Sequence, residues 1–183
     1  MNVEKSQKGA HSGVMKRKIY QQLLDWKNKR NGEVALLVEG ARRIGKSYIV
    51  EEFGKNEYES YILIDFNKAP QMVRDWFDLY LEDLDMLFLY LSQHYKVRLH
   101  ERKSLIILDE VQLCPRARAA IKFLVADGRY DYIETGSLVS IKKNTQGIVL
   151  PSEERPIQMY PMDFEEFLWA TGNDMLMDLI RKM

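Results

Sequence analysis

The chain has 183 residues, with 27 Lys and Arg against 27 Asp and Glu, so it carries no formal net charge at pH 7. Apolar residues make up 46% and charged residues 30%, the balance of a globular domain, which excludes a disordered tail, a collagen-like repeat and a nucleic-acid binder working through bulk positive charge. One cysteine, Cys114, excludes a disulfide framework, and the absence of a signal-like leader or a continuous apolar span points to a cytoplasmic domain long enough to bury a sizeable core.

Residues 1–14 lack apolar periodicity and contain Gly9, Ser12 and Gly13, so a flexible tail is expected there. From Lys16 to Arg30, Ile19, Leu23 and Trp26 recur at helical spacing among basic residues, predicting an amphipathic helix with a solvated cationic face, stopped at Asn31-Gly32. Residues 34–38 (VALLV) form an apolar run of the kind found in strands buried on both faces. A helix is predicted over 46–53, burying Ile49, Val50 and Phe53, with Gly54 as its C-terminal cap. Residues 60–66 (SYILIDF) and 104–109 (SLIILD) read as the second and third strands, and 130–135 (YDYIET) as the fourth. Pro115 suits the first turn of a helix that buries Ile121, Leu124 and Val125 and ends at Asp127-Gly128. A fifth strand is placed at 157–160. The connection 67–103 is long, and its stretch 84–91 (LDMLFLYL) is apolar nearly all round; it reads either as a helix packed on the sheet or as a docking surface. Strands alternating with helices imply parallel pairing and a three-layer α/β domain.

Directly after the first predicted strand stands Gly40-Ala41-Arg42-Arg43-Ile44-Gly45-Lys46-Ser47, a full match to G-x-x-x-x-G-K-[ST] between a strand and a helix. Glycines at the two fixed positions let successive N–H groups turn toward one anion. The following helix aims its N-terminus at the same point. Lys46 supplies a mobile charge for β- and γ-phosphates, and the Ser47 hydroxyl a ligand for Mg²⁺. The backbone from Gly40 to Tyr48 is thus the candidate cofactor-binding segment for ATP. The side chains of Arg42 and Arg43 occupy variable positions and read as surface charges, as do Arg116 and Arg118.

The third strand ends in Asp109-Glu110, at the strand end where open α/β sheets place their ligands. Asp109 is the candidate to hold the metal with Ser47, and Glu110 to polarise an attacking water, an arrangement that favours hydrolysis. The fourth strand runs into Thr135-Gly136-Ser137. Thr135 or Ser137 reads either as a sensor of the γ-phosphate or as ordinary turn chemistry. Arg155 reads either as an arginine finger offered to a neighbouring subunit or as a surface salt-bridged residue. Cys114, next to a helix-starting proline and without a paired histidine, reads as structural.

With these stretches in view, the chain resembles the predicted bacterial and archaeal AAA+ superfamily ATPases of the AAA 14 type. The resemblance rests on VEGARRIGKSYIVEEF, LIILDEVQLCP, YIETGSLVS and above all MYPMDFEEFLWATGN, and it covers residues 15–180. It implies an ASCE-type sheet with the fourth strand between the first and third. It also implies ATP binding at Gly40, Gly45, Lys46 and Ser47, metal and water activation at Asp109 and Glu110, and sensing at Thr135 or Ser137. The loop departs mildly from the pattern, with Arg-Arg-Ile for Arg-Gln-Val and Ser47 for Thr. Similar proteins continue into a helical region and a C-terminal domain. The expected organisation is therefore a flexible tail (1–14), an ATPase core (15–172) and the start of a truncated helical region (173–183). Two functions fit. One is an ATPase core that drives a partner domain; the other is a non-catalytic nucleotide-binding switch. A small-molecule kinase would need a lid, which the 67–103 segment, with Arg74 and Arg98, does not resemble. Beyond ATP or ADP, the expected partners are a second copy of the chain or a missing C-terminal domain. For nucleic acid the basic run Lys16, Arg17, Lys18, Lys27, Lys29 and Arg30 is the candidate surface.

Overall fold

The computed structural model describes residues 16–30, 32–137, 152–173 and 176, so the expectations for 1–14 and for nearly all of 173–183 lie outside the described residues. Five strands, β1 (Ala35–Gly40), β2 (Ser60–Asp65), β3 (Ser104–Asp109), β4 (Asp131–Ser137) and β5 (Glu154–Met159), make one sheet in the order β2-β3-β4-β1-β5. Every neighbouring pair is parallel, and β4 lies between β1 and β3 as the resemblance implies. The helices are α1 (Ile19–Arg30), α2 (Lys46–Glu57), α3 (Gln71–Leu79), α4 (Leu84–Tyr95), α5 (Pro115–Asp127) and α6 (Phe164–Ala170).

Successive strand residues face opposite sides of the sheet. Leu36 and Val38 of β1, Ile107 of β3 and Ile133 of β4 pack with Leu23 and Trp26 of α1 and Ile49 and Phe53 of α2. Leu37, Ile64, Leu108 and Tyr132 instead pack with Val73 and Phe77 of α3, Leu87 and Leu91 of α4, and Ala117 and Ile121 of α5. This is the expected three-layer α/β domain. Both faces of β1 and β3 are covered, and for that reason their sequences are continuous apolar runs rather than alternating ones. Helix α4 belongs to the core: Leu87, Phe88 and Leu91 are buried, Tyr90 stacks between Trp76 and Tyr80, and of its apolar residues only Leu89 is exposed. Among the described residues no helix is long and apolar enough to cross a membrane.

Four expectations are corrected. The first helix starts at Ile19, not Lys16. The fifth strand starts at Glu154, three residues before Ile157, and contains Pro156; among the described residues β5 pairs only with β1, and an edge strand tolerates a proline that a central strand would not. The 67–103 connection holds a second helix, α3, which buries Val73, Trp76 and Phe77 at helical spacing. Gly54 does not cap α2, which continues to Glu57. It lies buried inside the helix, where a Cβ would come 3.1 Å from Tyr61 Cγ and 3.4 Å from Leu105 Cδ2. The missing side chain lets α2 lie close on β2 and β3. Gly54→Leu is accordingly expected to overpack this contact and destabilise the fold by about 1–3 kcal/mol, read as a lowered midpoint in urea.

Arg118 is corrected as well. Far from being a surface charge, it is 2% exposed, with Nη2 donating to Glu154 Oε1 at 3.0 Å and Nε to Oε2 at 3.2 Å. Glu134, in the middle of β4, is fully buried beside this pair, and neither of its carboxyl oxygens accepts a hydrogen bond. Burial first, and the Glu154 carboxylate second, push its pKa well above the ordinary 4.5. A protonated Glu134 can donate one hydrogen bond to Glu154 and removes the repulsion between two buried carboxylates. The folded chain then holds a proton that the unfolded chain releases above pH 4.5. Stability therefore falls as pH rises from there toward the raised folded value. Glu134→Gln is expected to remove that decline, melting higher than wild type at pH 8 with the gap narrowing toward pH 5 in thermal scans.

Candidate functional site

The Gly40–Ser47 loop joins the end of β1 to the start of α2. Gly40 sits against the neighbouring strand, where a Cβ would lie 2.3 Å from Met159 O and 2.8 Å from Ile44 Cδ1. Arg43 (φ 63°) and Gly45 (φ 93°) adopt left-handed backbone, the conformation that folds successive N–H groups of a loop to one side. Gly45 is also the N-cap of α2, and no side chain caps the helix there. The side chains of Ala41, Arg42, Arg43 and Tyr48 are exposed, whereas Ile44 is half-buried. Lys46 is 4% exposed, and its Nζ donates to Ala41 O at 2.7 Å and Gly40 O at 3.2 Å. Burial pushes its pKa down, against the opposing pull of the Glu110 and Asp109 carboxylates. A cation held short of full solvation beside its own loop is poised to exchange backbone carbonyls for a stronger anionic partner.

The end of β3 meets this loop. Ser47 Oγ donates to Asp109 Oδ1 at 2.8 Å, and the Thr135 hydroxyl donates to the same oxygen. Thr135 Oγ1 accepts in turn from the Glu110 N–H at 3.1 Å. One buried hydroxyl from β4 thus ties together Asp109, the last residue of β3, and Glu110, which follows it. Glu110 is in left-handed backbone (φ 54°), and its Oε2 accepts from Gln112 Nε2. Burial raises the Asp109 pKa, the Thr135 and Ser47 hydrogen bonds act against it, and the nearby Asp65 and Glu110 carboxylates add to the rise. Such crowding of acid oxygens and a hydroxyl is a hard-oxygen donor set, and it suits a Mg²⁺ ion, which takes one or two carboxylates and leaves its other positions to water and phosphate.

Gly40, Lys46, Ser47, Asp109, Glu110 and Thr135 therefore converge. Ser137 is buried and stands beside Gly40 in the β1–β4 register. Arg155 is exposed and does not join them: it pairs with Leu36, four residues along β5 from the Met159 that faces Gly40, about 13 Å away at strand rise. Arg74, half-buried, is occupied elsewhere, donating to Leu113 O at 2.8 Å and to Phe66 O. In the basic run Lys16, Lys18, Lys29 and Arg30 are exposed, as expected of a solvated face, and several of its cations have partners. Lys18 pairs with Asp163 (2.6 Å) and Glu165 (2.7 Å), Lys27 donates to Glu57 O over the Tyr58 ring, and Lys29 pairs with Asp25.

Arg17, expected on a solvated face, is 5% exposed. Its Nη1 donates to Ile44 O in the loop at 2.8 Å, its Nη2 to Tyr160 O at 2.7 Å, and its Nε to Glu166 Oε1 at 3.2 Å. Glu166 also closes the capping box of α6 with Asp163 and accepts from the Lys18 N–H at 2.7 Å. Beside this cluster lies a cavity of about 320 Å³, lined by Ile19, Gln22, Gln158, Tyr160 and Pro161 among others. Sequence reasoning missed Arg17, because the only local signal was its place in a basic run.

A parallel five-stranded sheet with this loop after β1 and paired acids after β3 defines the chain as a nucleotide-binding domain of ATPase type. It belongs to the AAA domain family, whose sequence pattern matches residues 33–168. It is 27% identical over 141 residues to the uncharacterized protein MJ1637 of Methanocaldococcus jannaschii, covering 75% of this chain but only 28% of that protein's length. It is also similar to the structure of C. elegans PCH-2 at 11% identity and a TM-score of 0.40, covering 90% of this chain and 44% of that one. That likeness is too weak to carry any statement about function.

Proposed function

We propose that this chain binds Mg·ATP in the Gly40–Ser47 loop and hydrolyses it to ADP and phosphate, driving movement of a partner domain. The observation that supports it most is the 2.8 Å hydrogen bond from Ser47 Oγ to Asp109 Oδ1, which brings the end of the loop and the acidic end of β3 to one point. In this reading the N–H groups of residues 41–48 and the Lys46 ammonium hold the phosphates. Ser47 and Asp109 hold Mg²⁺, which when bound neutralises charge on the phosphate oxygens. Glu110 accepts a proton from the attacking water. Thr135 orients both acids through its hydroxyl, and the buried Ser137 stands beside the loop as a second sensor candidate. The cavity next to Arg17 offers room for the base. Arg155, exposed and remote from its own loop, takes no part in this site.

A second reading, a nucleotide-binding switch without turnover, is favoured by one contact: Glu110 Oε2 accepts from Gln112, which leaves fewer acceptor positions of that carboxyl for an attacking water. The two separate in a phosphate-release assay on the purified chain with saturating Mg·ATP. Release that saturates with ATP supports hydrolysis; ATP bound without release above background supports the switch and overturns the enzyme.

A further inference from the structure

The three donors of Arg17 join parts of the chain that are far apart in sequence: the N-terminal segment, the Gly40–Ser47 loop and the segment after β5. The loop contact has a directional consequence. Among the described residues there are no cis peptide bonds, so in each planar unit the C=O and the following N–H point in opposite directions. Holding the Ile44 carbonyl toward Arg17 therefore turns the Gly45 N–H away from it. Gly45 at φ 93° has little intrinsic preference that would keep this peptide from flipping, since glycine reaches left- and right-handed backbone with similar ease. A buried guanidinium supplies the missing constraint.

We propose that Arg17 is a positioning residue for the phosphate loop. It fixes the Ile44–Gly45 peptide so that the Gly45 N–H faces the bound phosphates, and it is itself held by Glu166 and Tyr160 of the segment after β5. The inference rests on the reading of Gly40–Ser47 as a phosphate site. The pairing is well built for the role. The side chains of Arg17 and Glu166 are 3% and 7% exposed, so solvent screens the pair little. Glu166 is fixed on its other side by the capping box, in which Asp163 N donates to Glu166 Oε2 at 3.1 Å. Whatever moves α6 or Tyr160 thereby moves the donor that orients the loop. The segment that carries the family resemblance most strongly is in this way wired to the site that takes the phosphates.

The probe is tripolyphosphate, which contacts the loop without a base. Binding is measured by calorimetry on the whole chain, and the Gly45 amide proton is followed by NMR. Wild type is expected to bind, with the Gly45 proton moving downfield. Arg17→Met is expected to bind about tenfold more weakly and to lose that downfield movement, since a donor without its orientation makes no phosphate bond. Glu166→Ala is expected to bind about threefold more weakly, because Arg17 keeps its loop contact but loses its anchor. Equal binding by Arg17→Met and wild type would overturn the proposal. So would weaker binding with the Gly45 movement intact, which marks a merely structural arginine. Unchanged affinity in Glu166→Ala would overturn the part given to Glu166. If Arg17→Met does not fold, Arg17→Lys decides: one ammonium cannot span all three acceptors, so intermediate affinity is expected and wild-type affinity overturns the proposal. Failure of wild type to bind tripolyphosphate would instead overturn the phosphate-site reading itself.

Discussion

Lys46→Met is expected to lose at least thirtyfold in Mg·ATP affinity while melting at or above the wild-type temperature. The two halves of this result have one cause. The Lys46 side chain is 4% exposed, and burial already pushes its pKa down, so the ammonium is held at a cost to the folded state. Its partners are the carbonyls of Gly40 and Ala41, neutral acceptors that offset the desolvation only in part. Methionine keeps a similar unbranched stem and removes the charge. The nucleotide, by contrast, loses its closest cation: truncating one member of a desolvated charge pair costs about 2–5 kcal/mol, or thirtyfold and upward. Calorimetric titration with Mg·ATP and a thermal melt of the same sample check both halves. Affinity within threefold of wild type would mean that Lys46 braces the loop and does nothing else.

Glu110→Gln is expected to retain ATP binding and to slow phosphate release about a hundred- to ten-thousandfold, the usual range for losing a positioned general base. The substitution is close to isosteric. The Glu110 N–H still reaches Thr135 Oγ1, so the β3–β4 tie at Asp109 persists. The side-chain amide oxygen can still accept from Gln112. Only proton acceptance is lost. Single-turnover release of labelled phosphate, with bound ATP measured in parallel, separates the two effects. Release unchanged in the variant would take the base role away from Glu110, and any turnover would need another acceptor.

How much of this was legible before the structure follows from the range over which each feature is encoded. The phosphate-loop pattern and the Asp109-Glu110 pair are contiguous, and the strands that carry them, β1 and β3, are buried on both faces and so are written as unbroken apolar runs. The Gly128 cap of α5 is equally local, with φ 75° after thirteen helical residues. What was missed depends on distant partners. Arg17 looks like one more cation in a basic run until Glu166, 149 residues away, is placed beside it. Arg118 needs Glu154, 36 residues on, before it reads as buried. Gly54 carries an ordinary end-of-helix signature, and only the ring of Tyr61 on β2 shows that close packing is its purpose. Pro156 argues against a strand unless the strand is known to lie at the sheet edge. Helix α3 had a readable pattern in Val73, Trp76 and Phe77, obscured by the length of the connection around it.

In the proposed function the triphosphate lies in the Gly40–Ser47 loop, opposite Asp109 and Glu110. A crystal structure of the chain with Mg²⁺ and a non-hydrolysable ATP analogue tests it most directly. Phosphate oxygens are expected on the N–H groups of Gly45, Lys46 and Ser47, with Lys46 Nζ moved from the Gly40 and Ala41 carbonyls to the phosphates. The cation is expected at Ser47 Oγ on the Asp109 side. A triphosphate bound elsewhere, or one bound while Lys46 keeps its carbonyl partners, would contradict the proposed function.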